Sequence, residues 1–155
     1  DAITIGAGYI YYDFPEADDG GTSEVYLSVG VDTFLAPAIT VYRDVDANDG
    51  YYVDVSIGYD VEIADGFTLN LGANLGWADD KFGDANYGEG ADGFTNYSVG
   101  ASMDFALLDN VTLTPSIMWY SLLGDAEDER DTNVDTASLN DEDGVVFGIN
   151  LNVSF

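Results

Sequence analysis

Cysteine and histidine are both missing from the 155 residues. Without cysteine there is no disulfide, no thiolate metal site and no thiol nucleophile, although the compartment stays open. Without histidine the commonest general base, the commonest transition-metal ligand and any Ser-His-Asp triad drop out. Positive charge is nearly absent too: Arg43, Lys81 and Arg130 stand against 30 acidic residues, for a formal net charge of -27. A polyanion with three scattered cations repels phosphate and cannot build a basic stripe, so nucleic acid is excluded as a partner. Anionic membrane surfaces are unattractive on the same ground unless divalent cations bridge them. Proline is scarce, at three residues, and no apolar run approaches the roughly 20 residues of a transmembrane helix. No signal peptide is visible, and a chain starting at Asp1 reads as a mature form.

What the chain does contain is 46% apolar residues, 14% aromatics dominated by 11 Tyr and 8 Phe, and 18 Gly. That suits a single folded domain over residues 1–155, built from strands and turns, with helix a poor expectation.

Period-2 alternation recurs along the sequence and is cleanest in GVVFGINLNVSF (144–155), where Val145, Phe147, Ile149, Leu151, Val153 and Phe155 share one face. FTLNLGANLGWA (67–78) and the stretch 51–63 repeat it, and less strict versions cover 2–12, 24–32, 37–45, 94–107 and 111–122. The connections alternate as well. Short turns at 32–37, 64–66 and 108–110 are interleaved with longer acidic loops at 13–23, 44–50, 78–93 and 124–144. Eight strands with strict short/long alternation predict an all-β, antiparallel up-and-down transmembrane β-barrel with long loops on one side and both chain ends on the other. Apolar positions fall on odd numbers throughout, which predicts connections free of bulge-induced phase slips.

The polar face carries Gly, Ser, Thr, Asn and Ala with a few Asp and Tyr, rather than the long charged side chains of a solvated surface. Small residues suit a lumen. Tyr9, Tyr11, Tyr51, Trp77, Tyr97 and Trp119 lie near the long-loop ends. Ile3, Phe34, Phe67, Phe105 and Phe155 lie near the short-turn ends, giving the two belts expected at membrane interfaces. A soluble secreted β-barrel, with the apolar face inside around a hydrophobic ligand, is the rival architecture.

Two groups of acids stand out. Asp54, Asp60 and Asp104 fall on the lumen face with few cations to neutralise them, which points to a wet, cation-preferring interior. Asp32, Asp44 and Glu62 share that face at strand ends, where bulk water accounts for them. In the loop 44–50, Asp44, Asp46, Asn48 and Asp49 open like a calcium loop, but the glycine comes one place late and position twelve is Val55. A looser Ca²⁺ site there, or at Asp141, Glu142 and Asp143, competes with a plain solvated acidic turn. The acid excess suits halophilic adaptation or a calcium-dependent contact with lipopolysaccharide. No carboxylate pair is singled out for catalysis, so the expectation is no enzyme and no cofactor beyond that Ca²⁺.

The last strand, with Val153 and the terminal Phe155 closing an every-second-position apolar series, resembles the C-terminal signature of bacterial outer-membrane proteins. The resemblance implies a Gram-negative outer-membrane location, a lipid and lipopolysaccharide surround, extracellular long loops, periplasmic termini, and Val153 and Phe155 as a signal to the barrel-assembly machinery. PAITVYRDVDANDGYYVDVSIGYD (37–60), LNLGANLGWAD (69–79) and LTPSIMWYSLL (113–123) are further similar to the TorF-like porin family. Members of that family run longer at the N-terminus, so the resemblance implies a larger parent barrel, and twelve strands would enclose a real pore where eight normally do not. Two expectations follow: a small cation-leaning porin, or a structural surface barrel without a pore.

Overall fold

The structure is a computed structural model that describes residues 2–13, 21–127 and 143–154. Eight strands form one antiparallel sheet in sequence order: β1 (Ile3–Asp13), β2 (Gly21–Val31), β3 (Ala38–Asp44), β4 (Tyr51–Ala64), β5 (Phe67–Ala78), β6 (Gly93–Leu108), β7 (Val111–Leu122) and β8 (Asp143–Val153). Each strand pairs only with its chain neighbours, and the sheet curls into a half-barrel. Up-and-down order is what short turns and alternating patterns dictate, since each hairpin closes locally. The outer edges of β1 and β8 do not meet.

Register follows the expected facing through most of the sheet. Ile57 pairs with Ala73 and Leu71 with Ala101 on the apolar face, while Ser56 pairs with Asn74 and Asn74 with Ser98 on the polar one. The expected odd-with-odd pairing holds through the body of every strand pair, and the expectation of connections without bulge-induced slips is corrected at three places, near Ile63, Thr95 and Leu107. At Thr95 the phase slips: Phe94, an even-numbered residue, pairs with Trp77 and joins the apolar face. Thr95 itself is fully buried and donates its hydroxyl to Asn96 Oδ1 at 3.0 Å. All three irregularities lie at strand ends, where an extra residue bends the rim at little cost to the ladder.

The β6–β7 ladder also breaks at Pro115, because proline has no N–H to donate. Pro115 does pair with Ile149 on the β8 side. Between Ser116 and Leu113 the strands are tied instead through side chains, Thr114 Oγ1 donating to Asp104 Oδ1 at 2.6 Å.

The sheet is a single layer. Among the described residues the buried apolar ones are only Ala78, Ala91, Leu122 and Ala126. Large apolar side chains stand exposed on the odd-numbered face, up to 76% for Phe147 and 80% for Ile149. The other face is concave and holds a helix, α1 (Asp80–Asn86), within the 78–93 connection. No helix was expected there. It starts because Asp79 accepts the Phe82 N–H at 2.9 Å, as an N-cap, while also accepting the Tyr51 N–H at 3.0 Å. Midway down the concave face, Gly58, Gly72 and Gly100 pair in one row across β4, β5 and β6.

Candidate functional site on the concave face

The even-numbered tyrosines of neighbouring strands come together because register sets them side by side. Tyr26 pairs with Tyr42, and Tyr42 with Tyr52. Their ring centroids are 5.6 Å and 6.1 Å apart, and Tyr52 stacks on Phe82 of α1 at 5.2 Å. An aromatic series thus crosses β2, β3 and β4 and ends on the helix.

Glycines on adjacent strands make the rings fit. A Cβ on Gly8 would lie 2.5 Å from the Tyr26 ring, and one on Gly76 would overlap Tyr52. Gly8 and Gly76 are therefore seats for tyrosines, which is why this part of the polar face looks small in sequence yet is well filled.

The helix is held as closely. A Cβ on Gly50 would collide with the Phe82 backbone, and one on Gly83 with the Ala91 carbonyl. Only glycine at both positions lets α1 lie this close to the β3–β4 loop and to its own returning chain.

Between the helix and the strands lies a cavity of about 480 Å³. Its walls carry Tyr12, Tyr42, Tyr52, Phe82 and Tyr87, with the carboxylates of Glu24 and Asp54 among them. Among the described residues no basic one lines it. Tyr12 donates to Glu24 Oε2 at 3.0 Å, and Asn74 Nδ2 donates to Asp54 Oδ2 at 2.7 Å. Ser98 in turn donates to Asn74 Oδ1 at 2.6 Å, so Asn74 links β4 to β6. A second recess of about 270 Å³ shares Tyr12, Glu24 and Phe82 and runs to Thr22, Asp44 and Asn48.

The three lumen acids expected from sequence are not gathered in one place. Only Asp54 lines the cavity. Asp104 lies nearer the short turns, held by Thr114 and by Asn70 Nδ2 at 3.0 Å, where it bridges the gap beside Pro115. Asp60, paired with Asn70, is exposed. Glu24, Tyr12, Tyr42, Tyr52, Phe82 and Tyr87 were not anticipated. Their signal was the even-numbered position of the three strand tyrosines and of Glu24.

The loop 44–50 is organised around its own backbone. Asp44, 1% exposed, accepts the N–H groups of Asp46, Ala47 and Asn48 at 2.9, 2.8 and 3.1 Å, and the Thr22 hydroxyl as well. Asn48 Oδ1 accepts the Gly50 N–H at 2.7 Å, and Asp49 sits 3.6 Å from Arg43. Asp44, Asp46, Asn48 and Asp49 therefore do not converge as a Ca²⁺ cage: the D-x-D-x-N opening is a turn capped by Asp44. Among the described residues no group of three or more acidic side chains is placed to hold a metal ion. Asp141 and Glu142 lie outside the described residues, and Asp143 accepts the Trp119 indole N–H at 3.3 Å.

On the opposite, convex face the aromatic residues sit as two rims. Tyr9, Val25, Arg43 and Tyr51 pair in one row near the long loops, with Arg43 over the Tyr51 ring at 5.4 Å. Tyr11 lies beyond that row and is exposed; Trp77 is half-exposed, and Tyr97 and Trp119 meet edge to face at 5.2 Å. At the other rim Phe67 meets Phe105 at 5.4 Å, and Phe34 meets Tyr59 at 5.2 Å. Val153 ends β8 on the same face, paired with Val111, and Phe155 lies outside the described residues. No helix of the described chain is long and apolar enough to cross a membrane, which has no bearing on crossing by strands. No protein-family model matches the chain, and no curated protein is similar to it.

Proposed function

We propose that this chain forms the wall of a non-enzymatic outer-membrane β-barrel of the porin kind, with a cation-leaning lumen and acidic loops on the extracellular side. One observation carries the reading: a single-layer sheet exposes a continuous face of Ile, Leu, Val and Phe and turns Asn, Ser, Thr, Asp and Tyr inward. A soluble domain buries such a face against a second layer. A carrier of hydrophobic ligands would need the apolar side chains on the concave side. Lipid satisfies the arrangement directly, and the two aromatic rims then mark the interfaces.

The same reading demands further strands. In hydrocarbon an unpaired backbone N–H or C=O costs several kcal/mol, so the free edges of β1 and β8 have to be closed. The likeness of residues 37–60, 69–79 and 113–123 to TorF-like porins agrees with a barrel of more than eight strands. Partners on this reading are outer-membrane lipid and lipopolysaccharide outside and the assembly machinery during insertion, addressed through Val153 and Phe155.

Planar-bilayer recording on the purified protein tests the pore. Stepwise conductance with a reversal potential favouring cations is the expected result. A protein that inserts into the bilayer without conducting refutes the channel and leaves a structural barrel.

A further inference from the structure

We infer that the 480 Å³ cavity beneath α1 is a binding site for small organic ammonium ions. The inference rests on the concave face being the lumen of the proposed barrel, and it names what that lumen selects.

Three features of the wall converge on this ligand. The cavity is lined by five aromatic rings, of which Tyr42, Tyr52 and Phe82 form a connected series with centroids 6.1 and 5.2 Å apart. Aromatic faces are electron-rich, and several around one space attract an alkylated ammonium group that sheds its water readily. Glu24 and Asp54 add negative charge from β2 and β4, on either side of β3, and among the described residues no Lys or Arg in the lining offsets them. Of the two cations among the described residues, Arg43 is engaged on the other face with Asp49 and Tyr51 and Lys81 is exposed on α1.

Competing ligands fit less well. A hard metal ion wants several carboxylate or carbonyl oxygens at close range, and here the two carboxylates already hold hydrogen bonds, to Tyr12 and to Asn74. An anion would face two uncompensated carboxylates. A neutral solute could stack on the rings but would gain nothing from Glu24 and Asp54. The volume lies in the range that small-molecule sites occupy.

The test is titration calorimetry on the full chain in detergent, with choline, tetramethylammonium, sodium, and 3,3-dimethylbutan-1-ol as choline's uncharged counterpart. Choline is expected to bind at least tenfold more tightly than the alcohol, with no measurable sodium heat. Asp54→Asn and Glu24→Gln should each weaken choline about tenfold. Tyr42→Leu should abolish binding, while Tyr42→Phe, which keeps the ring, should retain it. Far-UV circular dichroism identifies variants that keep their strands, and the wild-type comparison of choline with its uncharged counterpart needs no variant at all. Equal binding of the two, binding of neither, or unchanged affinity in folded Asp54→Asn overturns the site. Bilayer recording separates this from the pore: conductance without choline discrimination defeats the site alone, and choline binding without conductance defeats the pore alone.

Discussion

Replacing Leu71 by arginine puts a charge at the middle of the proposed lipid-facing band. Leu71 is four residues from Phe67 and six from Trp77 along β5. At about 3.3 Å per residue and a tilt near 45°, those aromatic residues lie roughly 9 Å and 14 Å away along the membrane normal. Leu71 is 42% exposed and its neighbours in register are Tyr59 and Ala101, so neither neighbour offers a carboxylate to neutralise a guanidinium. An arginine near the bilayer midplane costs about 2 to 4 kcal/mol, or roughly 30- to 700-fold in the folding equilibrium. Ile63→Arg, at the short-turn rim of β4, should cost only about 0 to 1 kcal/mol because the long side chain reaches the interface. Gly72→Ser, one residue from Leu71 but on the concave face, should be close to neutral: a Cβ there meets only the Ile57 carbonyl, at 3.8 Å. Guanidinium unfolding in phospholipid vesicles, followed by Trp77 and Trp119 fluorescence, measures all three. Equal costs at positions 63 and 71, or a Gly72→Ser penalty matching that of Leu71→Arg, would refute the lipid-facing assignment.

Gly83→Ala should lift α1 off its seat, because the new methyl overlaps the Ala91 carbonyl; fluorescence quenching of the concave-face tyrosines should rise while strand content in circular dichroism stays constant. Asp44→Ala removes the acceptor for three loop N–H groups and the Thr22 hydroxyl, and should lower stability by about 2 kcal/mol in the same unfolding assay. Any calcium-dependent shift of the thermal midpoint should be the same in the wild type and in Asp46→Asn, since the Asp44 oxygens are already committed to the loop; a shift lost in Asp46→Asn would contradict that description.

Much of the architecture was legible because it is written locally. Alternation in β4, β5 and β8 and the short/long order of connections are properties of neighbouring residues, and they give strand count, pairing and facing directly. What failed depends on residues far apart. The phase slip at Thr95 follows from how β6 leaves a loop ending at the positive-φ Gly93, and no period-2 count contains it. Helix α1 has a glycine in the middle of DKFGDAN, which weakens any propensity argument, and it forms where Asp79 caps it and Gly50 makes room for it. The site was half visible. Tyr26, Tyr42 and Tyr52 share a parity, but that they adjoin depends on the β2–β3–β4 register, and that Glu24 and Asp54 flank them depends on the curl. In the 44–50 loop the residue types suggested metal ligands, whereas the direction of the Asp44 carboxylate, towards its own backbone, is a matter of conformation alone.

The glycine row Gly58–Gly72–Gly100 has a mechanical consequence. Three strands in succession offer no side chain on the concave side at this level, so nothing there resists closer curvature, and glycine is the residue whose backbone gives most readily. Bending should concentrate in β4–β6, where the row lies, leaving β1–β3 and β7–β8 as two firmer panels. A wall built this way yields at one seam when its load changes, whether from lateral pressure in the bilayer or from a solute in transit.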